Sequence, residues 1–353
     1  MYFIYFQEQC LNFIFICQAR LKVPGTFQLK RSMKKLLFLI LYNLLVICII
    51  FLLLETLTRI FFPQIKSQGT DENIFSENVY YDSHGLKPFS SGLSNGAQVK
   101  INKYGFRDYS TKFDSTKNSW LILGDSVTMG IGIEADSTFA GRIQAKNDSI
   151  NILNPAIVGY AIQDYENLAN HFFMKGKNEF RITKVLLFWC LNDIYIDVPD
   201  FETPGGSLRN LMGDLLKIIR TKSRAYMLVK TLLFDRPKSY YLFDEKFYAS
   251  TTPEFQNAIQ KLDKINRLSV EQRIDFTIIL LPYEYQLRNK DSNKTKPQEL
   301  MSMELPKNLI CLDPVQFLIS QEESFKDMFL FGDGIHLSNF GHRLIADYLE
   351  KPL

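Results

Sequence analysis

The sequence predicts an α/β protein, a three-layer α/β/α sandwich around a five-stranded parallel sheet, preceded by one N-terminal transmembrane helix. From residue 119 onward, short apolar runs alternate with longer amphipathic segments, which is the pattern of βαβ units. Nearer the N-terminus, Leu36–Leu54 carries no charge and is interrupted only by Tyr42 and Asn43. A helix needs about 20 apolar residues to cross a bilayer, so this run is long enough.

The charges around this run predict its orientation. Basic residues precede it, whereas Glu55 and Arg59 follow it. The positive-inside rule then places the N-terminus in the cytoplasm and the chain beyond about residue 60 outside. No small-x-small cleavage site follows the run, which favours an uncleaved membrane anchor over a removed signal peptide. The basic residues before the run are Lys30, Arg31, Lys34 and Lys35.

Composition divides the chain into four segments. Residues 1–32 lack a clear period, and Met33-Lys34-Lys35 before the apolar run is typical of a natural start. We interpret 1–32 as an upstream extension with no folded role, with an amphipathic cytoplasmic helix as the alternative. Residues 33–62 are the predicted anchor. Residues 63–118, rich in Ser, Asn, Gly and Asp, are a predicted linker and irregular extension, and 119–353 form the α/β domain.

Within the α/β domain the strands are short apolar runs, as expected when helices cover both faces of a parallel sheet. The segment 208–250 exceeds a simple crossover, so it is either a lid or substrate-side subdomain, or an ordinary crossover helix with a loop. The predicted strands are Trp120–Leu123, Asn151–Asn154, Lys184–Cys190, Asp275–Leu281 and Asn308–Leu312. The predicted helices are Phe139–Lys146, Gln163–Met174, Leu208–Leu233, Glu254–Gln272 and Asn339–Glu350.

Charge and cysteine content exclude several classes. The net charge of +3 comes with no dense basic block, so nucleic-acid binding has no electrostatic support. The five cysteines are scattered and form no Cys-x-x-Cys pair, which argues against a disulfide framework and against zinc or redox chemistry. These residues give no signature of a cofactor or a metal site.

Four polar motifs follow predicted strands or lie near the C-terminus. In an open α/β sheet, ligands bind beyond the carboxyl ends of the strands, so these motifs are expected to converge on one edge. They are Gly124-Asp125-Ser126, the segment Asn154–Tyr160 with Gly159, Asn192-Asp193, and Asp333–Ser338 with His336.

Together these residue types suit acyl transfer. A serine hydroxyl is a weak nucleophile until a base takes its proton, and histidine is the natural base near neutral pH. Asp333 precedes His336 by three residues and can orient its ring. The backbone N–H groups of Ser126 and Gly159 and the side-chain amide of Asn192 would form an oxyanion hole.

Each residue also has a structural alternative. Ser126 is equally suited to capping the following helix, Gly159 to a tight turn, and Asn192 with Asp193 to a helix cap. His336 then becomes a surface histidine. The other three histidines are weaker candidates. His342 competes for the base role but lacks a carboxylate three residues before it. His84 is predicted to lie in a surface loop, and His171 to be a structural residue of a helix.

These motifs resemble the SGNH (GDSL) hydrolases, whose name lists the Ser, Gly, Asn and His of four sequence blocks. Ser126, Gly159, Asn192 and His336 match them in order, over residues from about 100 to 350, and Asp333 matches the aspartate before the histidine. The segment Asn102–Asp108 is similar to one in membrane-anchored bacterial members. The resemblance implies a flavodoxin-like sheet, a Ser-His-Asp triad and esterase, lipase or carbohydrate O-deacetylase activity without a metal.

One position departs from the family. The third block is usually Gly-x-Asn-Asp, and here it reads Cys190-Leu191-Asn192-Asp193. The added side chain is expected to shift the Asn192 donor slightly or to narrow the acyl pocket.

The functional expectation is a membrane-anchored, extracytoplasmic serine esterase that removes O-acyl groups, such as O-acetyl, from a cell-envelope glycan or lipid. The alternatives are an acyltransferase that uses the same serine on envelope polysaccharide, and a non-catalytic binding protein that keeps the fold. The acyl length, the alcohol and the oligomeric state do not follow from the sequence.

Overall fold

The computed structural model describes residues 26–66, 68–196, 213, 219, 221–288, 292–321 and 324–350. The chain divides into two units, Met1–Leu57 and Thr58–Leu353. Helix α1, Thr26–Phe61, begins in the first unit. Among the described residues, its part Lys34–Phe61 is the one helix long and apolar enough to cross a membrane, and its apolar side chains are exposed. Such a helix fits a membrane anchor or a signal sequence.

The second unit is built on a five-stranded parallel sheet, which confirms the predicted fold class. Numbered from 1 to 5 along the chain, its strands lie in the order 2-1-3-4-5, which is the flavodoxin-like order. Each lies within two residues of its predicted bounds. They are β5 (Asn118–Gly124), β6 (Ile150–Leu153), β7 (Ile182–Trp189), β8 (Asp275–Leu280) and β9 (Ile310–Leu312).

The strand order reverses between β5 and β7. From β5 the chain moves outward to β6 and then returns to the other side of β5 to form β7. At such a switch point the connections leave in opposite directions and open a crevice at the carboxyl ends of the strands. Gly124, the last residue of β5, is paired with Phe188 near the end of β7. The segments that follow these two strands therefore emerge side by side.

Helices cover both faces of the sheet. Helices α4 (Ile162–His171) and α8 (Pro253–Glu271) pack together, and their apolar sides join one buried core cluster. Helices α3 (Phe139–Lys146) and α12 (Asn339–Leu349) pack together within the other. The remaining helices are α2 (Ser126–Met129), α5 (Lys177–Phe180), α6 (Arg224–Leu233), α7 (Arg236–Asp244), α9 (Glu284–Leu287), α10 (Lys296–Glu304) and α11 (Val315–Ile319).

Two predicted helices differ from the structure. Gln163–Met174 was too long, because α4 ends at His171 and a π-helical turn, Phe172–Gly176, follows. Of Leu208–Leu233, residues 208–212, 214–218 and 220 lie outside the described residues. In the described remainder, Ser223 caps α6 by accepting a hydrogen bond from the Tyr226 N–H. Helix α7 follows, and a 3-10 turn, Glu245–Phe247, comes after it, so residues 224–247 form two helices and a turn.

The predicted irregular extension contains two antiparallel hairpins. Strands β1 (Phe75–Tyr80) and β2 (Ser83–Leu86) form the first, and β3 (Ser91–Ser94) and β4 (Ala97–Lys100) form the second. The second turns at Asn95-Gly96, where both residues have positive φ (44° and 78°), the conformation of a type I′ hairpin turn. Strands this short carry little periodicity, although the Asn-Gly pair was a usable signal.

Candidate active site

The turn that carries Ser126 begins at Gly124, whose φ of 156° suits glycine. A Cβ added there would lie 2.0 Å from Thr128 Oγ1, so the close approach of α2 also requires glycine. Asp125 caps α2, because its Oδ1 accepts the Val127 N–H at 2.8 Å. The cap predicted as an alternative role for Ser126 therefore belongs to Asp125. Ser126 itself opens the helix and is 7% exposed.

Ser126 meets His336 across the sheet edge. Ser126 Oγ lies 2.8 Å from His336 Nε2. His336 Nδ1 lies 2.7 Å from Asp333 Oδ1, which also accepts the backbone N–H groups of Ile335 at 3.1 Å and His336 at 2.9 Å. A ring that donates from Nδ1 to the carboxylate presents the lone pair of Nε2 to the serine hydroxyl. This is the tautomer that a general base requires.

The electrostatics of the pair favour a strong base. Burial alone would raise the pKa of Asp333, but the charge of His336 and hydrogen bonds from its ring and backbone outweigh burial and lower that pKa to about 2. Burial would lower the pKa of His336, yet the charge and hydrogen bond of Asp333 raise it above its usual value. Asp333 therefore stays ionised at neutral pH and stabilises the protonated imidazolium ring.

Asn192 lies in a 3-10 turn, Leu191–Ile194, directly beyond β7. Its Nδ2 donates to Asp125 Oδ2 at 3.3 Å, and the same carboxylate oxygen lies 3.2 Å from Ser126 Oγ. The Asn192 amide is thereby held beside the serine. Asp193 stabilises the turn instead of facing the site, because its Oδ2 accepts the Cys190 N–H at 2.8 Å.

Gly159 lies in an exposed turn after β6, with a φ of 87° that favours glycine. A Cβ there would meet no atom within 4 Å. No hydrogen bond among the described residues joins Gly159 to Ser126 or Asn192. The structure thus links Ser126, His336, Asp333 and Asn192 through one chain of contacts, and Gly159 lies outside that chain.

Cys190 is buried and belongs to the core cluster under α3 and α12. Its φ of −100° and ψ of 161° are ordinary extended values, so the position does not require the glycine usual in the family. Burial first, and then the charges of Asp125 and Asp193, raise the pKa of its thiol well above the usual value. Cys190 is therefore a neutral core residue.

The other histidines keep structural roles. His342 is 1% exposed on α12, and its Nδ1 accepts the Phe139 N–H at 3.2 Å. Burial and then nearby positive charges lower the pKa of His342 to about 3, so its ring is neutral. His171 packs edge-on against Tyr80 and Phe172. His84 is an exposed residue of β2.

Sequence reasoning missed several residues that hold the site. Arg107 is 1% exposed, and its guanidinium donates to the backbone carbonyls of Met129, Gly130 and Ile133, directly after the serine helix. Tyr283 contacts Asn192 through its hydroxyl. It lies two residues after Leu281, whose N–H donates to the Trp189 carbonyl at the end of the sheet. The strand-end rule that found Asn192 applies equally to Tyr283. The contacts of Arg107, by contrast, depend on folding of the extension onto the domain.

In the described part of the chain, no group of three or more His, Cys, Asp or Glu side chains is arranged to hold a metal ion. No family model and no curated protein matches this sequence.

Solved structures do match. A lipolytic G-D-S-L family protein from Veillonella parvula is 14% identical with a TM-score of 0.36, and the match covers 66% of this chain and 96% of that one. A putative lipolytic G-D-S-L family protein from Desulfitobacterium hafniense is 14% identical with a TM-score of 0.39, over 67% and 100%. A lipase/acylhydrolase from Enterococcus faecalis is 14% identical with a TM-score of 0.34, over 67% and 94%. The first two are described as members of the family that the four sequence blocks resemble.

Proposed function

We propose that this protein is a serine ester hydrolase of the SGNH type, with Ser126 as nucleophile and His336 as general base. Asp333 orients the His336 ring and stabilises its protonated form. The observation that carries the proposal is the continuous hydrogen-bonded chain from Ser126 Oγ through His336 to Asp333, at 2.8 and 2.7 Å. The first distance is that of a nucleophile and base ready for proton transfer, and the second is that of a base oriented by a carboxylate.

The reaction follows from the proton positions. His336 Nε2 takes the Ser126 proton as Oγ attacks the ester carbonyl, and the imidazolium that forms is stabilised by Asp333. The imidazolium then returns the proton to the departing alcohol, leaving an acyl-enzyme. Water attacks the acyl group with the same ring as base, and the acid leaves as Ser126 recovers its hydrogen.

The oxyanion of each tetrahedral intermediate needs donors near Ser126. We assign this role to the Ser126 N–H, the Asn192 side-chain amide and the Gly159 N–H. The position of Asn192 beside Asp125 and Ser126 supports its part in the hole. The assignment of Gly159 depends on the order of the sequence blocks and on its exposed turn, where a Cβ would meet no atom within 4 Å.

We further propose that the substrate is an O-acylated glycan or lipid of the cell envelope, and that α1 anchors the enzyme with its α/β domain outside the cytoplasm. The apolar helix Lys34–Phe61 supports the anchor. The basic residues before it and the acidic Glu55 after it support the orientation.

The test is hydrolysis of p-nitrophenyl acetate by the full chain in detergent micelles. Ser126→Ala is expected to lower kcat/KM by about 10⁴-fold or more. The matched control, Ser320→Ala, alters an exposed serine and should leave the rate unchanged. Equal hydrolysis by the wild type and Ser126→Ala would refute the proposal. Adding a sugar acceptor in the same assay separates hydrolysis from acyl transfer, because a transferase would form acylated sugar in place of free acid.

A further inference from the structure

Behind Asn192 lies a buried polar network that the proposed reaction does not use. Asp244, the last residue of α7, is 3% exposed. Its Oδ1 contacts the Tyr195 hydroxyl, and its Oδ2 lies 2.7 Å from the Tyr283 hydroxyl. The Tyr283 oxygen also lies 3.0 Å from Asn192 Oδ1 and accepts the Asn192 backbone N–H at 3.1 Å.

The hydrogen atoms of this network can be counted. Three of its contacts join two oxygens: Tyr195 to Asp244, Tyr283 to Asp244, and Tyr283 to Asn192. Each needs one hydrogen, but the two hydroxyls supply only two. A protonated Asp244 carboxyl supplies the third. It then donates to Tyr283, Tyr283 donates to Asn192 Oδ1, and Tyr195 donates to the other oxygen of Asp244.

Rotating the Asn192 amide does not remove this requirement. The rotation would place Oδ1 against Asp125 Oδ2, where Nδ2 now donates at 3.3 Å. That oxygen belongs to a carboxylate that already accepts the Val127 N–H through its other oxygen. Two acceptor oxygens would then face each other in a buried site, which is unfavourable. The amide orientation with Nδ2 towards Asp125 and Ser126 is therefore the consistent one.

The surroundings of Asp244 favour the neutral form. Burial is the largest influence and raises the pKa of Asp244, and the hydroxyls of Tyr195 and Tyr283 offset it only in part. The elements packed against α7 are α9 and the turns Leu191–Ile194 and Glu245–Phe247. Their other titratable groups are Asp193, Glu245, Lys246, Glu284 and Tyr285, with Cys190 and Tyr248 adjacent, and Lys246 is the one cation among them.

The cations near these elements are engaged elsewhere. Arg288 pairs with Glu284 and Asp235. Lys246 lies over the Phe243 ring, 5.7 Å from its centroid. On α7 itself, Arg236 donates to the Gly332 carbonyl and Lys238 lies near the start of the helix, away from Asp244. Within the described residues, no cation forms an ion pair with Asp244.

From this geometry we infer that Asp244 is held protonated and acts through Tyr283 as a positioning residue for the Asn192 amide. Loss of its proton would draw the Tyr283 hydrogen to the carboxylate and leave Asn192 Oδ1 without a donor. The amide would then no longer be fixed towards Ser126. The positioning role rests on the proposed hydrolase function, whereas the protonation of Asp244 does not.

Asp244→Asn tests the inference, because an asparagine amide reproduces the protonated carboxyl: it accepts from Tyr195 and donates to Tyr283. We expect its kcat for p-nitrophenyl acetate to stay within about twofold of the wild type, and its rate to lack the alkaline decline that ionisation of Asp244 causes. Tyr283→Phe should lower kcat by about 10- to 100-fold with little change in KM. The effect is smaller than the loss of a whole oxyanion donor because the Asn192 amide remains but is less well oriented. In an Asn192→Ala background, Tyr283→Phe should cause no further loss.

Infrared difference spectroscopy between the wild-type full chain and Asp244→Asn provides a readout that needs no activity. At pH 7 we expect a protonated-carboxyl C=O band in the wild type that Asp244→Asn lacks. Absence of that band would overturn the protonation of Asp244 without affecting the proposed function. A band present together with an additive effect of Tyr283→Phe in the Asn192→Ala background would overturn the positioning role. Ser126-independent hydrolysis would instead refute the proposed function.

Discussion

Arg107→Met should destabilise the protein and the serine turn together. The Arg107 guanidinium is the donor for three buried backbone carbonyls, those of Met129, Gly130 and Ile133. Methionine fills much of the same volume but donates nothing. The carbonyls that close the turn after α2 would then lose a charged donor in a site that water does not reach.

The magnitude follows from two opposing contributions. Three hydrogen bonds to a charged group are worth roughly 1.5–3 kcal/mol each, or about 5–9 kcal/mol together. Removing the guanidinium also removes the cost of burying its charge, which is several kcal/mol. The difference between these contributions should leave a net loss of about 3–5 kcal/mol of unfolding free energy.

The assay is urea unfolding in mild detergent, followed by tryptophan fluorescence. Trp120 in β5 and Trp189 in β7 are the two tryptophans of the chain, so the signal reports on the central sheet. The control is Arg267→Met, because the Arg267 side chain is 75% exposed and forms an exposed ion pair with Asp263 one turn away on the same helix. The control should change the unfolding free energy by less than about 0.5 kcal/mol. A loss below about 1 kcal/mol for Arg107→Met would refute this reasoning.

Three further predictions follow from the site and its surroundings. Asp333→Asn should lower kcat by about 10³- to 10⁴-fold. Because the Asp333 charge raises the pKa of His336, the wild-type rate should rise with pH through a midpoint above about 6.5. A midpoint below that value would contradict the pairing of Asp333 with His336. Because the pKa of His342 is lowered to about 3, its contribution to the free energy of unfolding is complete above about pH 6.5 and is lost as the pH falls. At pH 5 the wild type should have lost about 2 kcal/mol of unfolding free energy. Urea unfolding of His342→Gln, which keeps an acceptor for the Phe139 N–H, should show no such loss. Cys190→Ala should cost about 1 kcal/mol of unfolding free energy and leave kcat almost unchanged; a large fall in kcat would show that the thiol shapes the site.

The sheet was predictable because each of its strands is a short apolar run between polar turns. Phe139–Lys146 was predicted with its observed bounds, since Thr138 supplies a clear cap that accepts the Gly141 N–H. The hairpins before the domain were missed because their strands are four to six residues long and their burial follows from packing on the domain. The end of α4 was misplaced because the π turn that follows keeps a helical appearance in sequence.

The residues of the candidate site could be named from the sequence where suitable chemistry coincides with a strand end. Ser126 and Asn192 were identified because polar residues that follow buried strands in a parallel sheet must share one edge. His336 was identified because Asp333 precedes it by three residues.

Tyr283 follows β8 and could have been found by the same strand-end rule. Asp244 could not, because it has no distinctive spacing and its position depends on how α7 packs against the turn after β7. A hydropathy pattern would not have identified Asp244 either, because a polar residue that is buried cannot be told from an exposed one in sequence until its partners are known.

The switch point also bears on why the proposed catalytic groups come from separate segments of the chain. Adjacent strands β5 and β7 present Ser126 and Asn192 at fixed spacing, because both follow the ends of hydrogen-bonded strands whose register is set by the sheet. The sheet register does not constrain the proposed base, His336, in this way. His336 comes from a loop that Asp333 stabilises through two backbone N–H groups as well as the ring. Asp333 therefore fixes both the position of the base and its protonation, and this double role is why its loss should cost more than that of Asn192.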